Sequence, residues 1–205
     1  MKKPTLLMIG LAAMLASATY ASQEQLAQSI RDVQLETGRT SMELQSTLGV
    51  LNGLTAQKKG DLRPAYNAFC AELPKTEAAA GVTRTRIQWM AGDGRQYFKN
   101  WQKTIDSIAN ESLRKKAQKR MDAVRKSYDK VEASLVRAGE KFQPFLTDLN
   151  DIKKFLATDV TAGGVKAIKS TVKSANWNYQ SVETATKDAL KEMDKMQKAL
   201  SSEAK

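Results

Sequence analysis

The sequence predicts an all-α protein, an elongated antiparallel helical bundle or coiled coil with kinked long helices. Three observations carry that expectation. Apolar or small residues recur at steps of three and four from Met121 through Val124, Tyr128, Val131, Leu135, Ala138, Phe142, Phe145, Leu149 and Ile152 to Leu156. This is the a/d repeat of helices packed along one seam. The same rhythm runs through three further segments. Composition agrees, since 27% of the 205 residues are charged and only 6% aromatic, with 11 glycines and 4 prolines. A sheet protein usually needs more turn residues and more β-branched and aromatic content.

Residues 1–21 read as a secretory signal peptide, and residues 22–205 as the helical domain. Lys2 and Lys3 precede the apolar run Leu6 to Leu15, which ends in the small residues Ala16, Ser17, Ala18, Thr19 and Ala21. Cleavage after Ala21 or after Ala18 suits the small-residue rule. The run is short for a bilayer core of about 30 Å, so an uncleaved anchor is the weaker reading. No later segment is apolar enough to cross a membrane. The expected compartment is the periplasm.

The first helical segment runs from about Gln23 to Lys58, with Leu26, Ile30, Val33, Thr37, Thr40, Leu44, Thr47, Leu51 and Leu54 on its seam. Lys58-Lys59-Gly60 suits a helix end, and Asp61 suits a cap for the second helix. The second segment holds the rhythm from Leu62 through Tyr66, Phe69, Leu73, Thr76, Ala80, Thr83, Ile87, Met90, Gly94, Tyr97, Trp101 and Thr104 to Ile108. Kinks are expected at Pro74 and Pro144, and a kink or short break at Gly92 to Gly94. Around Asn110 to Leu113 the rhythm slips and restarts through Leu113, Ala117 and Met121, which favours a turn over a stutter. Thr158 to Gly164 is the clearest loop. The last helix carries Val165, Ile168, Val172, Ala175, Tyr179, Val182, Thr186, Ala189, Met193, Met196 and Leu200. Such seams must pack on each other or on a second chain.

Chemistry is sparse. The chain has no histidine, which removes the commonest general base and metal ligand. One cysteine, Cys70, permits no internal disulfide; it suits burial as a small apolar residue or pairing between chains. Asp148 with Asp151, and Asp93 between glycines, are too few for a metal site. No catalytic residue, cofactor or metal is expected. The net charge is +11, or +9 once Lys2 and Lys3 are removed, so anionic surfaces or acidic partners are favoured. Nucleic acid would attract such a chain too, but export argues against it as a partner.

Arg114, Lys115, Lys116, Lys119, Arg120, Arg125, Lys126 and Lys130 form the densest basic run, with only Asp122 and Asp129 between them. The run is either an anionic-surface site or a solvated helix face. Lys166, Lys169 and Lys173 make a second stripe. Trp89 and Trp177 fall off the seam, so they either point outward or are covered by another element, whereas Trp101 is on it and reads as core.

Gly60-Asp61-Leu62 with Tyr66, Tyr97-Phe98 with Trp101, Asn110, Ser112-Leu113-Arg114, Arg125 with Tyr128, Arg137-Ala138 with Glu140, Pro144 with Leu146, and Asp151 with Phe155-Leu156 carry a resemblance. Over Gly60 to about Leu156 the chain resembles a bacterial envelope family known only as domain of unknown function 2959. Members often look like lipoproteins, but no anchoring cysteine follows the apolar run here. The resemblance implies an exported helical protein and transfers no catalytic residues. The expected function is a non-enzymatic structural or adaptor protein of the cell envelope. Its expected partners are envelope proteins or, through the helical seams, a second copy of the chain. The alternative is a basic binder of anionic lipid, lipopolysaccharide or wall polymer.

Overall fold

In a computed structural model, which describes residues 5–57 and 59–201, the chain is 92% helical with no strand among the described residues. Five helices follow one another: α1 (Thr5–Ala56), α2 (Arg63–Asp106), α3 (Glu111–Leu156), α4 (Ala162–Ala167) and α5 (Lys169–Ser201). Lys2, Lys3 and Lys58 lie outside the described residues, as do the side chains of most of the apolar run Leu6 to Leu15. Among the described residues no helix is long and apolar enough to cross a membrane.

Local chemistry explains each helix boundary. Gly60 takes a positive φ of 94° after α1, a conformation open to glycine at little cost. Asp61 Oδ1 then accepts from the Arg63 amide at 3.0 Å, satisfying a donor that α2 leaves unpaired at its start. The turn between α2 and α3 falls at 107–110, as the slip in rhythm predicts. Asn110 Oδ1 accepts from the Leu113 amide at 3.0 Å, and Glu111 places a carboxylate in the first turn of α3. The loop before α4 is shorter than Thr158 to Gly164, because Thr161 caps a helix already begun at Ala162 and accepts from the Gly164 amide at 3.2 Å. Gly164 is required there: a Cβ would stand 2.1 Å from the Asp159 carbonyl oxygen.

The chain packs as two compact units, one of Met1–Gln34, Thr85–Glu132 and Lys191–Lys205, the other of Leu35–Arg84 and Ala133–Leu190. Each unit holds a segment of α1, α2, α3 and α5. In the first unit Thr19 meets Thr104 (2.9 Å) while Asp32 meets Arg86 (3.7 Å), so α1 and α2 run antiparallel. Its core gathers Leu26, Ile30, Val33, Met90, Tyr97, Phe98, Ile105, Met121, Val124, Tyr128, Met193 and Met196. In the second unit Thr40–Thr83 (2.9 Å) and Thr47–Thr76 (2.8 Å) set the same antiparallel pairing. Its core runs from Leu44, Leu51, Phe69 and Leu73 to Phe145, Leu149, Ile152, Leu156 and Val172. Burying these seams supplies the stability that helix propensity alone does not.

Several expectations need correction. The α1 helix begins at Thr5, well before Gln23. No break occurs at Gly92 to Gly94, because α2 is continuous through it; Gly94 is there so that the Tyr128 ring can pass. The last helical segment is divided at Ile168 into α4 and α5. Leu113 is 55% exposed, so the seam of α3 starts at Met121 rather than two steps earlier. Trp101 is half-buried, and burial passes instead to Phe98 and Ile105. A straight helix drifts about 20° per heptad, which rotates the last a/d positions off the inward face over so long a run.

Candidate functional site

The basic run occupies the N-terminal half of α3, in the first unit. Successive residues on a helix turn by about 100°, so Met121, Val124, Tyr128 and Val131 fix the inward direction. Lys115, Lys119, Lys126 and Lys130 then fall on the opposite side, with Lys116 next to them and Arg120 turned farther round, on the flank. All eight basic residues of the run are exposed. Arg114 and Arg125 stand apart on the flank toward α2. The Arg125 guanidinium lies 4.3 Å from the centre of the buried Phe98 ring, covering the core edge through a cation–π contact.

Part of this charge is answered by neighbours. Lys115 pairs with Glu111 at 2.7 Å, an exposed i,i+4 pair at the start of the helix. Lys130 faces Glu192 on α5, whose carboxyl is held below its ordinary range by its hydrogen bond from Lys195 and then by the charges of Lys130 and Lys191. Asp122 accepts from Gln118 at 2.9 Å and offers one weak counter-charge. Leu113, exposed at the head of the same helix, adds an apolar side chain beside Arg114. The arrangement can do one thing chemically: present a row of ammonium groups to phosphate or carboxylate.

Other sequence candidates divide by unit. Lys166, Lys169 and Lys173 are exposed in the second unit, on α4 and α5. Trp89 is 57% exposed and stacks under Arg86, whose guanidinium carbon lies 4.7 Å from the ring centre. Trp177 is 71% exposed, so both indoles point outward. Asp93 is spent on α1, accepting from Gln25 Nε2 at 2.6 Å and from the Ser29 hydroxyl. Asp148 accepts from Ser174 (2.7 Å) and Asn178 (2.8 Å), joining α3 to α5. Among the described residues no group of three His, Cys, Asp or Glu converges on a point.

Cys70 is half-buried. Its neighbour Tyr66 has its phenol pushed up to about 12 by the hydrogen bond with Cys70, by burial and by the thiol's charge. Burial and Glu132 push the Tyr128 phenol up as well. Both phenols are neutral donors, to the carbonyls of Lys153 (3.1 Å) and Met90 (3.2 Å), and brace α2 against α3. The sequence reading missed a groove of about 400 Å³ between α3 and α5 in the second unit. Arg137, Lys141 and Trp177 line it, and only the outward phase of Trp177 pointed that way.

The family described as protein of unknown function (DUF2959) matches residues 13–200 of the chain. No curated protein and no solved structure matches it.

Proposed function

We propose that this chain, which belongs to the DUF2959 family of proteins of unknown function, is a non-enzymatic helical structural or adaptor protein of the bacterial cell envelope. The observation that supports this best is where polar chemistry sits. Buried polar side chains are almost all Ser and Thr hydroxyls. The Thr40–Thr83 and Thr47–Thr76 contacts pair α1 with α2, so they hold helices together. Charge and indole rings lie on outer faces, available to partners. Export rests on the basic start, the apolar run and the small residues before Ser22.

The outward lysine stripe of α3 favours a second reading, docking on an anionic envelope surface. Charge-driven docking weakens with salt, because the field of such a stripe reaches about 8 Å at physiological ionic strength. Vesicle co-sedimentation separates the two. Under the surface reading, wild-type protein sediments with anionic vesicles at low salt, and reversing Lys115, Lys119, Lys126 and Lys130 to Glu abolishes this with helicity intact. Under the adaptor reading, vesicles are ignored at every salt concentration, and crosslinking in intact cells from positions 89 and 113 captures a defined envelope protein. Recovery of unprocessed chain from the cytoplasm would refute both.

A further inference from the structure

We propose that the groove between α3 and α5 in the second unit binds an acidic saccharide, a hexose unit bearing a carboxylate or phosphate. The inference rests on this groove alone and stands apart from the function proposed above.

The groove is open to solvent and offers about 400 Å³, enough for a mono- or disaccharide by the scale of small-molecule sites. Its two walls differ in kind. On α3, Arg137 and Lys141 lie one turn apart, both exposed, and neither has a hydrogen-bond or ion-pair partner among the described residues. They are donors only. On α5, Ser181 donates its proton to the Trp177 carbonyl (3.4 Å), and Thr184 donates to that of Gln180 (2.9 Å). Their oxygens are left to accept, and the exposed carboxylate of Asp188 beside them accepts as well. The cationic donors therefore stand on one wall and the carboxylate and free hydroxyl oxygens on the other, with Ser134 and Gln180 adding a hydroxyl and an amide.

Trp177 completes the site. An indole exposed to 71% on a helix flank costs solvation and returns nothing to the core, yet it stands at the edge of this groove. A ring with an apolar face, hydroxyl donors on one side and an anionic group on the other satisfies all three features. Inorganic phosphate lacks the hydroxyls and the ring face. A neutral sugar leaves Arg137 and Lys141 unanswered. A phosphatidylglycerol headgroup has charge and hydroxyls but no ring for Trp177.

The test is titration calorimetry on the full chain, with tryptophan fluorescence read in parallel. The probes are a glucuronate–N-acetylglucosamine disaccharide, glucose 6-phosphate, neutral diacetylchitobiose, inorganic phosphate and phosphatidylglycerol vesicles. At least one acidic sugar should bind about tenfold or more tighter than the neutral disaccharide and than phosphate. The two acidic sugars tell carboxylate from phosphate recognition. Trp177→Ala and the pair Arg137→Gln, Lys141→Gln should each weaken that binding about tenfold or more, with circular dichroism unchanged, and Trp177→Phe should retain part of it. All three positions are exposed, so folding is not at stake. The proposal is overturned if neither acidic sugar binds, if the neutral sugar or phosphate binds as well, if Trp177→Ala has no effect, or if vesicles bind through these residues while acidic sugars do not.

Discussion

Replacing Gly94 with alanine tests how the first unit is packed. Inside an exposed helix, glycine to alanine gains about 1 kcal/mol of helix propensity. At Gly94 a new Cβ would stand 2.5 Å from both Cζ and the hydroxyl oxygen of Tyr128, and 3.0 Å from Cε1. That ring has little room to yield. It is buried, meets Phe98 edge-on at 5.6 Å, and its hydroxyl donates to the Met90 carbonyl at 3.2 Å. Overpacking costs about 1–3 kcal/mol, and displacing the buried hydroxyl from its acceptor adds about 1–3 kcal/mol. Set against the propensity gain, Gly94→Ala should destabilise by about 1–5 kcal/mol. For a chain of this length that lowers the melting temperature by several degrees, at about 2–4 °C per kcal/mol. Urea unfolding followed by circular dichroism measures it, as a lower midpoint at unchanged slope. Gly81→Ala and Gly139→Ala serve as controls, because a Cβ at either position meets open space; both should stabilise by up to about 1 kcal/mol. In a double-mutant cycle, Tyr128→Leu should cost less in the Gly94→Ala background than in wild type. A Gly94→Ala protein as stable as wild type would refute the close-approach argument.

Two further outcomes concern buried hydroxyls. Thr37 Oγ1 is buried with no hydrogen-bond partner among the described residues, so Thr37→Val should raise stability by about 1 kcal/mol in the same urea assay, and a loss would mean the hydroxyl has an acceptor. Stability should also vary little between about pH 6 and 8, there being no histidine to titrate, and then decline above about pH 10. The sign is set by Tyr66, Tyr128 and Tyr179, whose phenols are all raised in the folded chain. The unfolded chain ionises first, so their contribution is whole below the unfolded value and is lost as pH rises toward the folded one. Tyr128→Phe should flatten part of that decline, and an unchanged slope would refute its share.

The periodicity of the sequence announced the helices because a two-sided helix must declare its buried side at steps of three and four. Leu26 to Leu54, Met121 to Leu156 and Val165 to Leu200 are inward-facing almost as written. Its failures have physical causes. Gly92 to Gly94 reads as a kink or short break by propensity and the helix is not broken there; the need of the Tyr128 ring for space is a tertiary fact with no local signature. Leu113 keeps the rhythm yet lies exposed at a helix start, where no neighbour covers it. The basic run was legible as composition, and its outward phase is set by Met121 and Tyr128. The groove was not legible, because Arg137 and Lys141 meet Trp177 only when α3 lies against α5.

The threonine pairs between α1 and α2 in the second unit act as the wards of a lock. Thr40 meets Thr83 and Thr47 meets Thr76, two matches seven residues apart, and Thr76 also donates to the Glu43 carbonyl at 3.1 Å. A leucine seam alone is indifferent to sliding by one heptad. Sliding one way sets Thr47 opposite Phe69, and sliding the other way sets Thr76 opposite Leu54. Either leaves a buried hydroxyl without a mate, at about 1–3 kcal/mol each. The same key must fit any second copy that offers its own helix in exchange, so the seam admits only a partner bearing hydroxyls at both notches.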